Sequence, residues 1–190
     1  MELLSEADSR NGDCRNKKWT EEREYREEIM QEVSVIIPNF NGMAYLDGVL
    51  AGLECQSVNN FEVILVDNGS SDGSCAFVAA RYPWVHLIEL PENFGFCKAV
   101  NEGIKASRAP YVLLLNNDIE VTENFIEEMI FAIKRHPKAF SCAARMIQFH
   151  DRDKLDDAGN YYCALGWAYA RGKGKDIHTY EKEEQIFASC

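Results

Sequence analysis

From Val33 onward, short runs of β-branched and other apolar residues alternate with segments of helical periodicity, and this alternation limits the available folds more than any other feature. Strands of this kind belong in a parallel sheet covered on both faces by helices. Val33 to Ile37 reads as the first strand, closed by Pro38, which has no N–H to give to a ladder. Leu46, Val49, Leu50 and Leu53 then recur at i, i+3, i+4 and i+7, one face of a helix expected to be capped near Asn41. Phe61 to Val66 is the second strand. It runs into Asp67-Asn68-Gly69-Ser70-Ser71-Asp72-Gly73, a turn that leads to a helix capped by Ser71 or Asp72.

Val85 to Leu90 is the third strand, and Asn93-Phe94-Gly95 precedes a helix with Val100, Ile104 and Ser107 on one side. Tyr111 to Leu115, the most apolar run, is the fourth strand. Thr122 is placed to cap the next helix, whose Phe125, Ile126, Met129, Ile130 and Ile133 face the core. Lys134, Arg135 and His136 suit its carbonyl end before Pro137 stops it. Ala139 to Phe149 reads as a fifth strand, and periodicity is weak over the Asp- and Gly-rich residues 150 to 176. The polar residues 1–31 form an extension with a solvated helix near 20 to 31, and the folded domain covers 32–190.

A chain of 190 residues with 46% hydrophobic content can bury one proper core. Its net charge of -11, with no basic patch, gives a surface that repels phosphate backbones and anionic lipid headgroups, and a nucleic-acid partner is disfavoured. Seven scattered cysteines without a C-x-x-C pair read as reduced, mostly buried thiols of a cytosolic protein. No window has the length of apolar sequence that a spanning helix needs, which leaves peripheral contact at the inner face of a membrane as the form of association open to it.

In an open parallel sheet, ligands lie outside the carboxyl ends of the strands, where strand order reverses. With strands ordered 3-2-1-4, the tips Pro38-Asn39-Phe40-Asn41 and Asn116-Asn117-Asp118 share one crevice, flanked by Asp67-Asn68-Gly69 and by Asn93 with Gly95. The first tip lacks the glycine fingerprint that cradles a dinucleotide pyrophosphate, which argues against a nicotinamide-dependent dehydrogenase. A bound pyrophosphate then needs another neutraliser, and a cation held at Asp118 is the physical choice.

Val33 to Gly42, Val66 to Ser74, the Asn93-Phe94-Gly95-Phe96 run with Asn101-Glu102-Gly103, and Leu113 to Asp118 together resemble the four successive signatures of family 2 glycosyltransferases. The resemblance spans about Val33 to Arg145, and it implies the GT-A fold, a Rossmann-like, mostly parallel sheet flanked by helices. The Asn116-Asn117-Asp118 form, with Asp157-Ala158-Gly159 and Arg171-Gly172-Lys173-Gly174, is similar to the rhamnosyltransferase-like branch.

The resemblance implies a donor site for a UDP- or dTDP-sugar. Pro38 and Asn39 would line the base pocket with Asn41 and Gly69 beside them, and Asp67 would accept from the pyrimidine N3 proton. Asn93, Gly95 and Asn101 would border ribose and diphosphate, Lys98 would reach the diphosphate, Asn117 would touch ribose, and Asp118 would ligate Mg2+ or Mn2+. Inverting transfer to a polysaccharide or a lipid-linked saccharide also requires a general base. The family's base lies well downstream of the metal carboxylate, which puts it beyond Cys190 and makes the chain a truncated form. The alternative is a noncatalytic nucleotide-sugar-binding module. Asp151, Asp153, Asp156 and Asp157 read as solvated surface carboxylates, and His86, His136, His150 and His178 lack metal spacing.

Overall fold

The computed structural model describes residues 31–186, so the helix expected near 20 to 31 lies outside the described residues. They fall into two compact units, one ending at Glu127 and the other beginning at Glu128. The first unit follows the strand-helix alternation of the sequence. Its elements are β1 (Val33–Asn39), α1 (Met43–Glu54), β2 (Phe61–Asp67), α2 (Ser74–Arg81), β3 (His86–Glu89), α3 (Phe96–Ala106) and β4 (Tyr111–Leu114). The four strands form a parallel sheet in the order β3-β2-β1-β4, as expected.

The first strand does not stop at Pro38. It continues to Asn39, which pairs with Asp67. Leu115 donates its N–H to the Ile36 carbonyl at 3.0 Å. Pro38, two residues on and facing the same side, has no N–H to return, so the ladder to β4 ends there while that to β2 continues. The apolar fourth strand is not buried. It is the outer strand, and Val112 and Leu114 are exposed on it.

Leu46, Val49, Leu50 and Leu53 are the buried residues of α1, the face read from their spacing. The buried face of α3 is different from the one read from sequence: Ala99, Val100 and Gly103 are buried and Ile104 is exposed. Gly103 draws the helix onto the sheet, since a Cβ there would lie 2.4 Å from Ile36 Cγ2. Ser107 ends that helix, and its hydroxyl donates to the buried Ser34 hydroxyl, which in turn donates to Glu62 at 2.5 Å.

The starts of α1 and α4 (Phe125–Arg135) take their partners from distant residues, while Asp72 serves α2 locally. Gly42 precedes α1 without a side-chain cap, and Asp72 accepts the Met43 N–H at 2.9 Å instead of Asn41. Gly73 precedes α2, and Asp72 accepts the Ser74 N–H at 3.0 Å. At the start of α4, the buried Gln56 accepts the Ile126 N–H at 2.9 Å and donates to the Thr122 carbonyl at 2.7 Å. Thr122 therefore contributes its carbonyl to this junction.

In the second unit the expected fifth strand is reduced to β5 (Met146–Ile147), antiparallel to β6 (Leu155–Asp157) and outside the main sheet. β7 (Asn160–Tyr162) and β8 (Ala168–Ala170) form a hairpin. Asp157 is buried and accepts the Gly159 N–H at 2.8 Å, so it is not a solvated surface carboxylate. Cysteines 55, 75, 142 and 163 are half-buried and Cys97 is exposed in the first turn of α3; none of these described thiols forms a disulfide, and they are less buried than expected.

Replacing Gly103 by alanine sets a helix-propensity gain of about 1 kcal/mol against overpacking of about 1–3 kcal/mol. Ile36 is fully buried and cannot swing aside, so the clash wins. Gly103→Ala is expected to lower the urea midpoint with little change in m-value, and a raised midpoint would contradict this packing.

Candidate functional site

Three strand tips are tied together by one side chain. The Asn39 amide donates to Asp67 Oδ1 at 2.8 Å, and its carbonyl oxygen accepts from the Asn117 amide at 2.7 Å. Asn39 is at the end of β1, Asp67 at the end of β2, and Asn117 just past β4, so the bond pattern joins the polar tips read from sequence. Gly42 must be small for this contact: a Cβ there would lie 2.1 Å from Asn117 Nδ2 and 2.3 Å from Asn39 Oδ1.

Asp67 is 2% exposed. Its carboxylate accepts the Ser70 hydroxyl at 2.6 Å, the Ser70 N–H at 2.8 Å and the Asn39 amide. Burial pushes its pKa up, but hydrogen bonds from the Ser70 hydroxyl and amide, Asn39 and the Cys75 thiol outweigh that effect and hold it below the ordinary value. The same burial, with Asp67 beside it, pushes the Cys75 thiol up to about 12. With the protein's own donors around it, Asp67 works first as an internal organiser of the tip.

The loop after β2 is fixed on two sides. Ser71 donates its N–H to the Asn41 side chain at 2.9 Å, and Asn41 holds a left-handed φ of 51° and donates its own N–H to the Ser70 hydroxyl at 2.8 Å. Gly69, with φ 78°, lies where a Cβ would come within 2.7 Å of the Glu92 backbone. Asn68 donates to Asn93 at 2.9 Å and accepts the Phe94 N–H at 2.9 Å, while Asn93 also accepts the Gly95 N–H at 2.8 Å. Asn93 and Gly95 are thereby joined to the tip of β2.

Asp118 follows Asn117 and is exposed, in contrast to the buried Asp67. Lys98 and Asn101 are exposed on α3, and Lys98 pairs with Glu102 at 2.6 Å, in the manner of a surface helix lysine. Lys98 and Lys105 together hold the Glu102 carboxyl near 2. Among the described residues, no group of three or more His, Cys, Asp or Glu forms a metal cage. A cation at Asp118 would therefore draw its remaining ligands from substrate oxygens and water, a common way for Mg2+ to be held.

The sequence reading missed Ser70 and Ser74 and gave Asp72 only as a cap of α2, whereas their hydroxyls and its carboxylate brace the tip. Their only signal was the density of Ser and Asp in the turn, which did not say which residue each would reach. The sequence reading gives Phe40 no role either, and it is 49% exposed between Asn39 and Asn41. A separate cavity of about 350 Å³ includes Asp47, Glu54, Cys55 and Glu120 in its wall. None of the sequence-derived site residues lines it, and its carboxylates would repel a diphosphate.

Residues 34–188 match the family described as Glycosyl transferase family 2, and the chain belongs to that family. Among curated relatives, glycosyltransferase GlyG of Streptococcus pneumoniae is 29% identical over 68% of this chain and 39% of its own length. The putative teichuronic acid biosynthesis glycosyltransferase TuaG of Bacillus subtilis is 27% identical over 65% of this chain and 50% of its own. Residues 1–349 of S. aureus TarS, solved in complex with UDP-GlcNAc, superpose with a TM-score of 0.52 at 26% identity, covering 56% of this chain and 32% of that one. The chain thus spans half or less of these proteins. No described helix is long and apolar enough to cross a membrane.

The depressed folded pKa of Asp67 makes a testable pH dependence. Its contribution is fully present above the unfolded value near 3.8 and is lost as pH falls through the lower folded value. Asp67→Asn is expected to lower stability at pH 7 by about 1–3 kcal/mol and to flatten the decline of the urea midpoint between about pH 4 and pH 3. An unchanged acid limb would show that the carboxylate is not held as described.

Proposed function

We propose that this chain binds a UDP- or dTDP-sugar across the tips of β1, β2 and β4 and serves inverting transfer of the sugar to a polysaccharide or lipid-linked acceptor. The observation that carries this reading is the Asn39 bridge from Asp67 to Asn117, which leaves the exposed Asp118 one residue beyond. Family membership and the UDP-GlcNAc complex of TarS support the choice of donor class. The domain is taken as 32–190, with 1–31 as an extension, in the cytosolic setting read from the cysteines.

In this reading Pro38, Asn39, Asn41, Gly69 and Asp67 border the base, with the exposed Phe40 between Asn39 and Asn41. Donation from the pyrimidine to Asp67 requires one of the protein donors to yield, and the Ser70 hydroxyl can rotate away at the least cost. Asn117, Asn93, Gly95 and Asn101 border the ribose and diphosphate. Lys98 reaches the diphosphate only by leaving Glu102. A Mg2+ or Mn2+ ion at Asp118 would supply charge neutralisation for the departing diphosphate. Asp118 holds that position because the bridged tips fix the backbone before it. The acceptor-side base is assigned to none of the described residues.

Kinship with the rhamnosyltransferase-like branch is part of the proposal. Its two downstream stretches are hydrogen-bonded to each other: Arg171 donates its N–H to the Gly159 carbonyl at 2.7 Å, and Ala158 donates to the Arg171 carbonyl at 3.0 Å. Motifs 13 residues apart thus form one structural unit, which supports reading them as a single signature.

Calorimetry with UDP and dTDP in Mn2+ tests the donor site. Asp118→Ala is expected to weaken binding by about tenfold or more, a loss of about 1.4 kcal/mol, and chelator should bring the native chain to the same level. Because Asp118 is exposed, the thermal transition should not move. Equal affinity in both chains removes the metal assignment, and metal-dependent binding with no release of nucleoside diphosphate from a sugar donor favours the noncatalytic module.

A further inference from the structure

Ala158 to Ala170 is a run of thirteen residues without one charged side chain, in a chain that is 27% charged. Such a run ordinarily lies in a core. Here it forms the β7–β8 hairpin and faces outward, with Leu165 82% and Trp167 73% exposed and Tyr162 and Tyr169 more than half exposed. Concentrated apolar and aromatic exposure of this kind marks a binding surface.

The residues are ordered by polarity along the hairpin. Ala164, Leu165 and Gly166 form the apex, the exposed Tyr162, Trp167 and Tyr169 come next, and Lys173 and Lys175 follow at the base, where Lys173 lies 3.5 Å from Asp156 and Arg171 is buried. A phospholipid bilayer has the matching gradient: acyl chains, then the interfacial layer favoured by Trp and Tyr, then phosphates that attract Lys and Arg. A saccharide would require polar side chains at set positions around the rings, and the apex has none.

Two backbone donors of the turn are satisfied within it. Gly166, with φ 85°, donates to the Cys163 carbonyl at 2.9 Å, and Cys163 donates to the Trp167 carbonyl at 2.9 Å. Those groups can enter a low-dielectric layer without losing partners. The base is rigid, because the Arg171 guanidinium stacks 4.1 Å from the Tyr180 ring centre and pairs with Glu184. The acidic excess of the chain, which would repel anionic headgroups, is not carried by this segment. Residues 128–190 carry ten Lys and Arg against nine Asp and Glu, whereas residues 1–127 carry ten against twenty-two.

We propose that the hairpin tip, Tyr162 to Tyr169, is a membrane-docking element that enters the interfacial layer of a phospholipid bilayer, with Lys173 and Lys175 at the headgroup phosphates. This rests on the second unit alone and stands apart from the donor site. The test is co-sedimentation of the full chain with phosphatidylcholine vesicles, with and without phosphatidylglycerol. Binding to both is expected, tighter with phosphatidylglycerol. Leu165→Asp combined with Trp167→Asp should reduce partitioning by about tenfold or more with an unchanged circular dichroism spectrum, and Trp167→Tyr should retain it. Lys173→Ala with Lys175→Ala should remove only the phosphatidylglycerol advantage. As a check that needs no folded double variant, brominated lipid should quench the emission of the native chain more than that of Trp167→Tyr. The proposal is overturned by no partitioning into either vesicle, by equal partitioning of the double variant, by equal quenching, or by a lipid-free dimer that the double variant dissolves.

Discussion

The site hangs on the carboxamide of Asn39, a neutral group that can donate and accept at once. Buried at the end of a central strand, it gives its N–H to a carboxylate on one side and takes an N–H from Asn117 on the other. No charged or purely apolar side chain could do both. Because the position is desolvated, each of these bonds costs more to break than it would at a wet surface, and the three tips behave as one rigid piece. The close approach of Gly42 is a consequence of the same bridge.

Around that bridge, the first unit supplements local caps with distant ones. Asp72 serves the first turn of α1 from across the β2 loop, Asn41 serves Ser71 in return, and Gln56 serves the start of α4 from seventy residues away. Each exchange ties a helix end to a loop, so the loops that carry polar residues cannot drift from the sheet. This bracing separates two aspartates by role. Asp67 spends its acceptor capacity inside the protein, while Asp118 faces solvent. In the proposed function it is the second kind of carboxylate that would face a cation, held in place by residues such as the first.

The second unit follows different physics. Its strands are two or three residues long, and its organisation comes from Asp157, Arg171 and their backbone partners. Charge is divided unevenly between the two segments, with the acidic excess confined to residues 1–127. That division undercuts any inference from net charge alone, because an average over the chain describes neither part.

Much of the first unit was legible in the sequence, since strand period, helix period and turn residues agree there. The order of strands, the buried face of α1 and the chemical character of the strand tips all followed. The buried face of α3 did not, because Gly103 has no side chain to register in a hydrophobic pattern, although its smallness is what brings the helix against Ile36. The fifth strand failed for a related reason: Ala139 to Phe149 has strand-like composition, but only Met146–Ile147 found a partner ladder.

Sequence by itself determined the fold class, the family and the residues that could carry charge chemistry, because those depend on local period and on residue type. Only the tertiary structure decided which aspartate is buried and which is exposed, where Pro38 interrupts one ladder but not the other, and which distant side chains serve the starts of α1 and α4. These are outcomes of proximity between residues far apart in the chain, and hydrogen bonding and desolvation act on that proximity alone.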